Sequence, residues 1–148
     1  MITAQQLESI LHAEIPITQA MQIGVENCSD KDVSLSAPLA PNINHKQTAF
    51  GGSLYSVAVL AGWSMTYCLL ERLGVNAQIV IHQSDINYLA PVAGTIEAHC
   101  QLTSEIDIEK FNKLMQRKGR ARLKLKSHII AEGKNAVEFE GVYVCIAH

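Results

Sequence analysis

From Gly52 to Leu70 the chain runs for 19 residues without a charge, and apolar side chains fall on every side of the helical wheel. A helix of that kind has no polar face to show to water, so it must be buried in a protein core or a membrane. Its start is equally constraining. The polar stretch Asn44-His45-Lys46-Gln47-Thr48-Ala49 leads through Phe50 to Gly51-Gly52-Ser53. A glycine pair opening a helix leaves the first backbone N–H groups uncovered. The helix dipole adds about half a positive charge at that end. Such an end is equipped to hold a developing oxyanion, for example the oxygen of a thioester carbonyl.

The uncharged run is long enough to span a bilayer. However, Ser53, Ser56, Ser64 and Thr66 interrupt it, and the segments around it alternate like half-buried strands. A helix in a soluble core is therefore expected, with no membrane span. The 148 residues make a single domain over positions 1–148, able to bury roughly 68–70% of its unfolded surface. A net charge of −2 argues against nucleic acid as a partner. Cys28, Cys68, Cys100 and Cys145 form no CxxC pair, and no charged region followed by an apolar one opens the chain. Reduced thiols in a cytoplasmic protein are expected. His82, His99 and His128 lack metal-ligand spacing, so no metal is expected.

Thr3 can cap an amphipathic helix carrying Leu7, Ile10 and Leu11 that ends before Pro16. Strands are predicted near 21–28 and 33–37, and Gly74 closes the long helix. Four more strands are predicted near 77–89, 95–104, 119–131 and 136–147, the last two joined by a hairpin at Gly133-Lys134-Asn135. The order is helix, two strands, one long apolar helix, then four strands. It implies an α+β fold, an antiparallel sheet curled around the helix. One sheet covers only part of a helix that is apolar all round, so a homodimer is expected.

That order, with Phe50-Gly51-Gly52 at the helix start and Asp85 to Pro91 on the next strand, resembles the hotdog-fold thioesterase superfamily. More closely, Asn44-His45, Phe50 to Tyr55 and Gly62-Trp63 look like one branch, the YiiD C-terminal thioesterase family, over about residues 5–147. Some members follow an acetyltransferase domain, which this chain lacks, so acetyl transfer is not implied. The resemblance implies a hotdog enzyme acting on thioesters, and it admits malonyl-acyl-carrier-protein decarboxylation, a reaction of fatty acid metabolism. Hotdog hydrolases of the phenylacetyl-CoA thioesterase type carry an Asn, then His-Gly-Gly, then an acid two turns into the helix. Here Asn44 matches the Asn, Phe50 replaces the His, and Val59 stands where the acid should be.

Decarboxylating a malonyl thioester needs neither nucleophile nor strong base, only a held enolate oxygen and a weakly solvated carboxylate. The N–H groups of Gly52 and Ser53 suit the first need, and Val59 supplies a dry wall. Asn44 can fix the reacting group through its amide, or simply cap a turn. His45, Thr48, Phe50, Gly51, Thr66 and Ser84 are candidate substrate contacts. Each has a plain rival role: solvated loop, helix cap, or back-bonding within the helix. The substrate brings its own phosphopantetheine arm, on acyl carrier protein or coenzyme A, and no cofactor is expected.

Eight of the twelve Lys and Arg residues lie between Lys110 and Lys126 with no acid among them. Arg120, Arg122, Lys124 and Lys126 alternate with Ala121, Leu123 and Leu125, so one strand projects all four from one face. They form either a solvated sheet face or a docking stripe for acidic carrier protein or coenzyme A phosphates. Three functions remain: malonyl-thioester decarboxylase, acyl-thioester hydrolase using an acid from elsewhere such as Asp85 or a residue of the partner subunit, and non-catalytic acyl-thioester or carrier-protein binding module.

Overall fold

A computed structural model describes residues Met1–His148. Helix α1 (Ala4–Glu14) begins at Thr3, whose hydroxyl accepts from the Gln6 N–H while the Gln6 side chain accepts from the Thr3 N–H. This reciprocal pair satisfies two end donors at once. A single turn, α2 (Ile17–Ala20), leads into β1 (Gly24–Cys28) and β2 (Asp32–Ala37). The long apolar run forms α3 (Gly51–Leu73), and Gly74 ends it at φ 67, a left-handed conformation that glycine takes without a Cβ clash. Then come β3 (Ala77–Tyr88), β4 (Ile96–Gln101), α4 (Glu105–Lys118), β5 (Arg120–Ala131) and β6 (Lys134–Ala147).

The six strands make one antiparallel sheet in the order β1-β2-β4-β5-β6-β3. Its inner face carries Val33, Leu35, Ile96, Ala98, Leu123, Leu125, Phe139 and Tyr143, all buried. These alternate with outward residues as the pleat requires. The sheet wraps α3, which packs against β2, β3, β4, β5 and β6. Although α3 is long and apolar enough to cross a bilayer, it is the core helix. Its least covered positions, Gly52, Tyr55, Ser56, Val59, Trp63, Tyr67 and Glu71, recur every three or four residues and form one open stripe. Strand β3 ends the sheet with one edge unpaired, and Val80 and Ile81 on it are 47% and 40% exposed.

Several details differ from the sequence-based order, among them α2, which was not expected, and β1, which starts at Gly24 rather than near 21. Helix α4 was not expected. Ser104 caps it by accepting from the Asp107 N–H, and Ile108, Phe111 and Met115 bury one face. It divides the basic run, with Lys110, Lys113, Arg117 and Lys118 on α4 and the remainder on β5. The last hairpin turns at Glu132-Gly133, one residue earlier than expected, with both at positive φ. That is the backbone a two-residue turn between twisted strands demands.

One contact locks α3 in the sheet. The Tyr143 hydroxyl, fully buried, donates to the Val59 carbonyl at 2.7 Å and fills the notch left by the missing side chain of Gly62. A methyl at position 62 would overlap the Tyr143 ring and hydroxyl. Gly62→Ala should therefore lower stability by about 1–3 kcal/mol through overpacking, a fall of roughly 3–10 °C in Tm. Calorimetry showing an unchanged Tm would mean that Tyr143 is not wedged against the helix.

Candidate functional site

The segment before α3 is tied down at both ends. Asn42 is buried; its amide donates to the carbonyls of Met21 and Pro38 at 3.0 and 2.8 Å, and its own carbonyl accepts from the Phe50 N–H at 2.8 Å. The Ala49 N–H reaches the Val92 carbonyl at 2.8 Å. Between these anchors the Asn44 side chain holds the loop. Its Oδ1 accepts from the N–H groups of Lys46 and Thr48 at 2.8 and 3.1 Å, and its Nδ2 donates to Thr48 Oγ1 and the Ala49 carbonyl at 2.9 and 3.3 Å. That uses the full hydrogen-bonding capacity of the amide. Any contact of Asn44 with substrate has to displace one of these bonds. His45 lies beside it, exposed and without a hydrogen bond.

Phe50 is the N-cap of α3 with extended backbone, and its side chain cannot cap. No acid lies in the first turn. The N–H groups of Gly51, Gly52 and Ser53 have no partner in the protein, and the Ser53 hydroxyl is also free. The Phe50 ring, 57% exposed, lies against Gly52, and a methyl there would overlap it. On the other side the Tyr88 hydroxyl donates to the Gly51 carbonyl at 3.0 Å. One turn further, Tyr55 and Ser84 share a hydrogen bond at 2.6 Å, with Tyr55 set edge-on against Phe139 at 5.6 Å. Three free backbone donors at the positive end of a 23-residue helix, flanked by two aromatic rings, form a cradle for a negatively charged oxygen.

The structure thus gathers Asn44, His45, Thr48, Phe50, Gly51, Gly52, Ser53 and Ser84 around the start of α3, with Val59 two turns along the open stripe. Thr66 is elsewhere: it is fully buried and its hydroxyl bonds back to the Gly62 carbonyl at 2.8 Å. Arg120, Arg122, Lys124 and Lys126 project from the face of the sheet away from α3. Lys124 and Lys126 reach Glu140 at 3.3 and 4.0 Å. Asp85 also lies on that outer face, opposite Glu140 on β6, so it cannot act at the helix start. His99 and His128 stack there with ring centroids 5.3 Å apart. Burial lowers the His128 pKa, the neighbouring His99 lowers it further, and Glu138 opposes both. Tyr55 and Tyr88 were not picked out from the sequence; the Asp85-to-Pro91 strand motif contains Tyr88, but nothing local pairs it with Gly51.

A family model described as "Putative thioesterase (yiiD_Cterm)" matches residues 4–147. A protein of unknown function from Chlorobaculum tepidum is 35% identical, with 99% of this chain and 98% of that one aligned at a TM-score of 0.93. A thioesterase-like protein from Shewanella oneidensis is 33% identical over 97% of this chain and 96% of the other, with a TM-score of 0.83. This chain belongs to the YiiD C-terminal family. At 12% identity, a Haemophilus influenzae thioesterase shares the fold alone, with a TM-score of 0.76 over 99% of this chain and 92% of its own. The sheet curled around α3 is thus the hotdog fold, and membership of the family supports an enzyme that acts on thioesters.

Replacing Asn44 by Ala should free the Lys46 and Thr48 N–H groups, which have no other partner. Their amide exchange should quicken about tenfold or more while the centre of α3 keeps its protection. Unchanged exchange at both positions would show that the loop holds its shape without Asn44.

Proposed function

We propose that this protein decarboxylates malonyl thioesters, giving the acetyl thioester. The observation that carries the reading is three unpartnered N–H groups at the start of α3, on a helix face with no carboxylate before Glu71. With the thioester oxygen on the Gly52 and Ser53 N–H groups, the carboxylate leaves as carbon dioxide when its bond aligns with the carbonyl π system. The electron pair then moves to the held oxygen. One such donor is typically worth about 2.7–4 kcal/mol to an oxyanion. The Ser53 hydroxyl can hold the carboxylate, and Val59 and the Phe50 and Tyr88 rings keep water away from it. Water supplies the final proton to carbon. Asn44 acts as a positioning residue, through the loop it holds.

Thioester hydrolysis is the second reading, favoured by the family description and by the thioesterase-like protein from Shewanella oneidensis. It requires an acid or base that activates water. Neither the first turn of α3 nor its open stripe as far as Tyr67 provides one. Malonyl-, acetyl- and long-chain acyl thioesters, each on acyl carrier protein and on coenzyme A, should be incubated with the protein and the products resolved by mass. The expected outcome is carbon dioxide lost with the thioester intact. Free thiol would make the protein a hydrolase, and no change in any substrate would make it a binding module. Asn44→Ala should reduce turnover about 10²-fold.

We further propose that two copies associate through the free edges of β3. A 12-residue edge strand, paired to β6 on one side only and with Val80 and Ile81 exposed, is a template for another strand. Antiparallel pairing sets the Tyr88 end of one β3 beside the Ala77 end of the other. Through the Gln78–Ile146 and Ile146–Arg120 pairings, that would set Arg120 and Arg122 two strands from the partner's Tyr88 end, on the outer face of the joined sheet. Both arginines are free of ion pairs, so they are the stronger part of a docking stripe for an acidic carrier protein. Sedimentation at micromolar concentration should give a dimer, and introducing Pro at Val80 should dissociate it. A folded monomer in the unsubstituted protein would remove this arrangement.

A further inference from the structure

Cys28 ends β1, at the edge of the sheet opposite β3, and is half-buried. Cys68 lies in the C-terminal half of α3 and is 1% exposed. Forty residues separate them, yet their sulfur atoms are 3.2 Å apart. A disulfide needs about 2.05 Å, so closure asks for a movement of little more than 1 Å. The edge strand can provide it, since Cys28 is its last residue and its pairing to β2 carries a register shift between Val25 and Asn27. One further contact joins the two elements, and another holds Cys28 to the N-terminal segment. Asp30, in the turn after Cys28, faces Arg72 in the last turn of α3 at 3.9 Å, and the Cys28 thiol also touches the Ile2 carbonyl at 3.8 Å.

Access is also built in. A cavity of about 900 Å³ opens between α1 and the end of α3, bordered by Ile2, Gln6, Tyr67, Glu71 and Arg72. It adjoins Ile2, whose carbonyl touches the Cys28 thiol, and Tyr67, the residue before Cys68, while Cys28 is itself partly exposed. By contrast, Cys100 and Cys145 are fully buried, with no sulfur partner. Burial pushes both of those thiols up to about 12, with a hydrogen bond from Ser127 partly opposing it at Cys100.

We propose that Cys28 and Cys68 are a peroxide-oxidisable pair that closes to a disulfide tying the edge strand β1 to the central helix. In the first step the Cys28 thiolate attacks a hydroperoxide. An S–O bond forms, the O–O bond breaks, and water or an alcohol leaves, so that Cys28 becomes a sulfenic acid. The Cys68 sulfur then attacks the Cys28 sulfur. The S–S bond forms, the S–O bond breaks, and the hydroxyl leaves as water with the Cys68 proton. Two thiols lose two electrons in total, and the hydroperoxide gains them. Cys28 is the first to react because it is the one solvent reaches; burial raises the Cys68 pKa and keeps it a thiol until the sulfenic acid is in contact.

The bond would close a loop of about 40 residues and should raise Tm by roughly 10 °C through the unfolded state. Cys68 stands about 24 Å along α3 from Gly52, at 1.5 Å per residue, so the pair is separate from the candidate active site. The test treats the full chain with hydrogen peroxide, alkylates remaining thiols under denaturing conditions, and maps unreduced peptides by mass. The expected result is one linked pair, Cys28 to Cys68, lighter than the free peptides by two hydrogens, with Cys100 and Cys145 alkylated. Tm should rise, and dithiothreitol should reverse the rise. Cys28→Ser and Cys28→Ala, each at a partly exposed strand end, should fold and show neither the link nor the rise. Four alkylated thiols after treatment, a Cys28 sulfinic acid with no link, or a link to Cys100 or Cys145 would each overturn the proposal.

Discussion

A helix without a polar face cannot be stable until it is covered, and the rest of the molecule is arranged around covering α3. Strands β2 to β6 each contribute inward residues to it, which is why one sheet bends around one helix. The fit is closest where the Tyr143 hydroxyl enters the notch at Gly62. That hydroxyl is held protonated, its pKa raised by burial and then by Cys100 and Tyr55, so it remains a donor to the Val59 carbonyl. Coverage stops at the stripe from Gly52 to Glu71, beside the free edge of β3. Both the site and the exposed edge are consequences of the same incomplete wrapping.

Much of this was legible because it rests on local rules. Thr3 and Gln6 announce α1, Gly74 announces the end of α3, and the alternation from Arg120 to Leu125 places β5 with its charges outward. Helix α4 had its own signals: Ser104 as cap, Glu105 and Asp107 in the first turn, Gly119 after the last, and apolar residues at 108, 111 and 115. The density of lysines and arginines drew attention to charge and away from that periodicity. The same density overstated the basic stripe, because Glu140 on the neighbouring strand faces Lys124 and Lys126. A cross-strand partner is a property of register, which composition does not contain.

The site was legible in position more than in detail. A polar loop ahead of two glycines marks the start of α3 in any reading. What each side chain does there depends on partners far away in the chain. Tyr55 meets Ser84 across 29 residues, and Tyr88 meets Gly51 across 37. Asn44 shows the reverse situation, since all its partners lie within five residues and a turn-forming role was already open to it. Thr66 lies only about 20° round the helix from Val59, but the open stripe itself turns onward through Trp63, Tyr67 and Glu71, which leaves Thr66 in the core.

The chemistry follows from what the helix start has and what it omits. A hydrolase must generate a nucleophile as well as stabilise the oxyanion, and a carboxylate beside the thioester is the ordinary means. Here the oxyanion half is present without the other, and Asp85 is turned to the opposite face of the sheet. A malonyl thioester needs only the half that is present, because its own C–C bond supplies the electron pair. On the proposed reading, a carboxylate at position 59 would repel the substrate's carboxylate, whereas valine there would let the leaving charge pass into the thioester oxygen with little water to oppose it. On that reading, Val59 in place of an acid disfavours hydrolysis at this helix start and suits decarboxylation. This is a sharper expectation than loss of activity alone, because it requires the three N–H groups to remain uncovered, as they are.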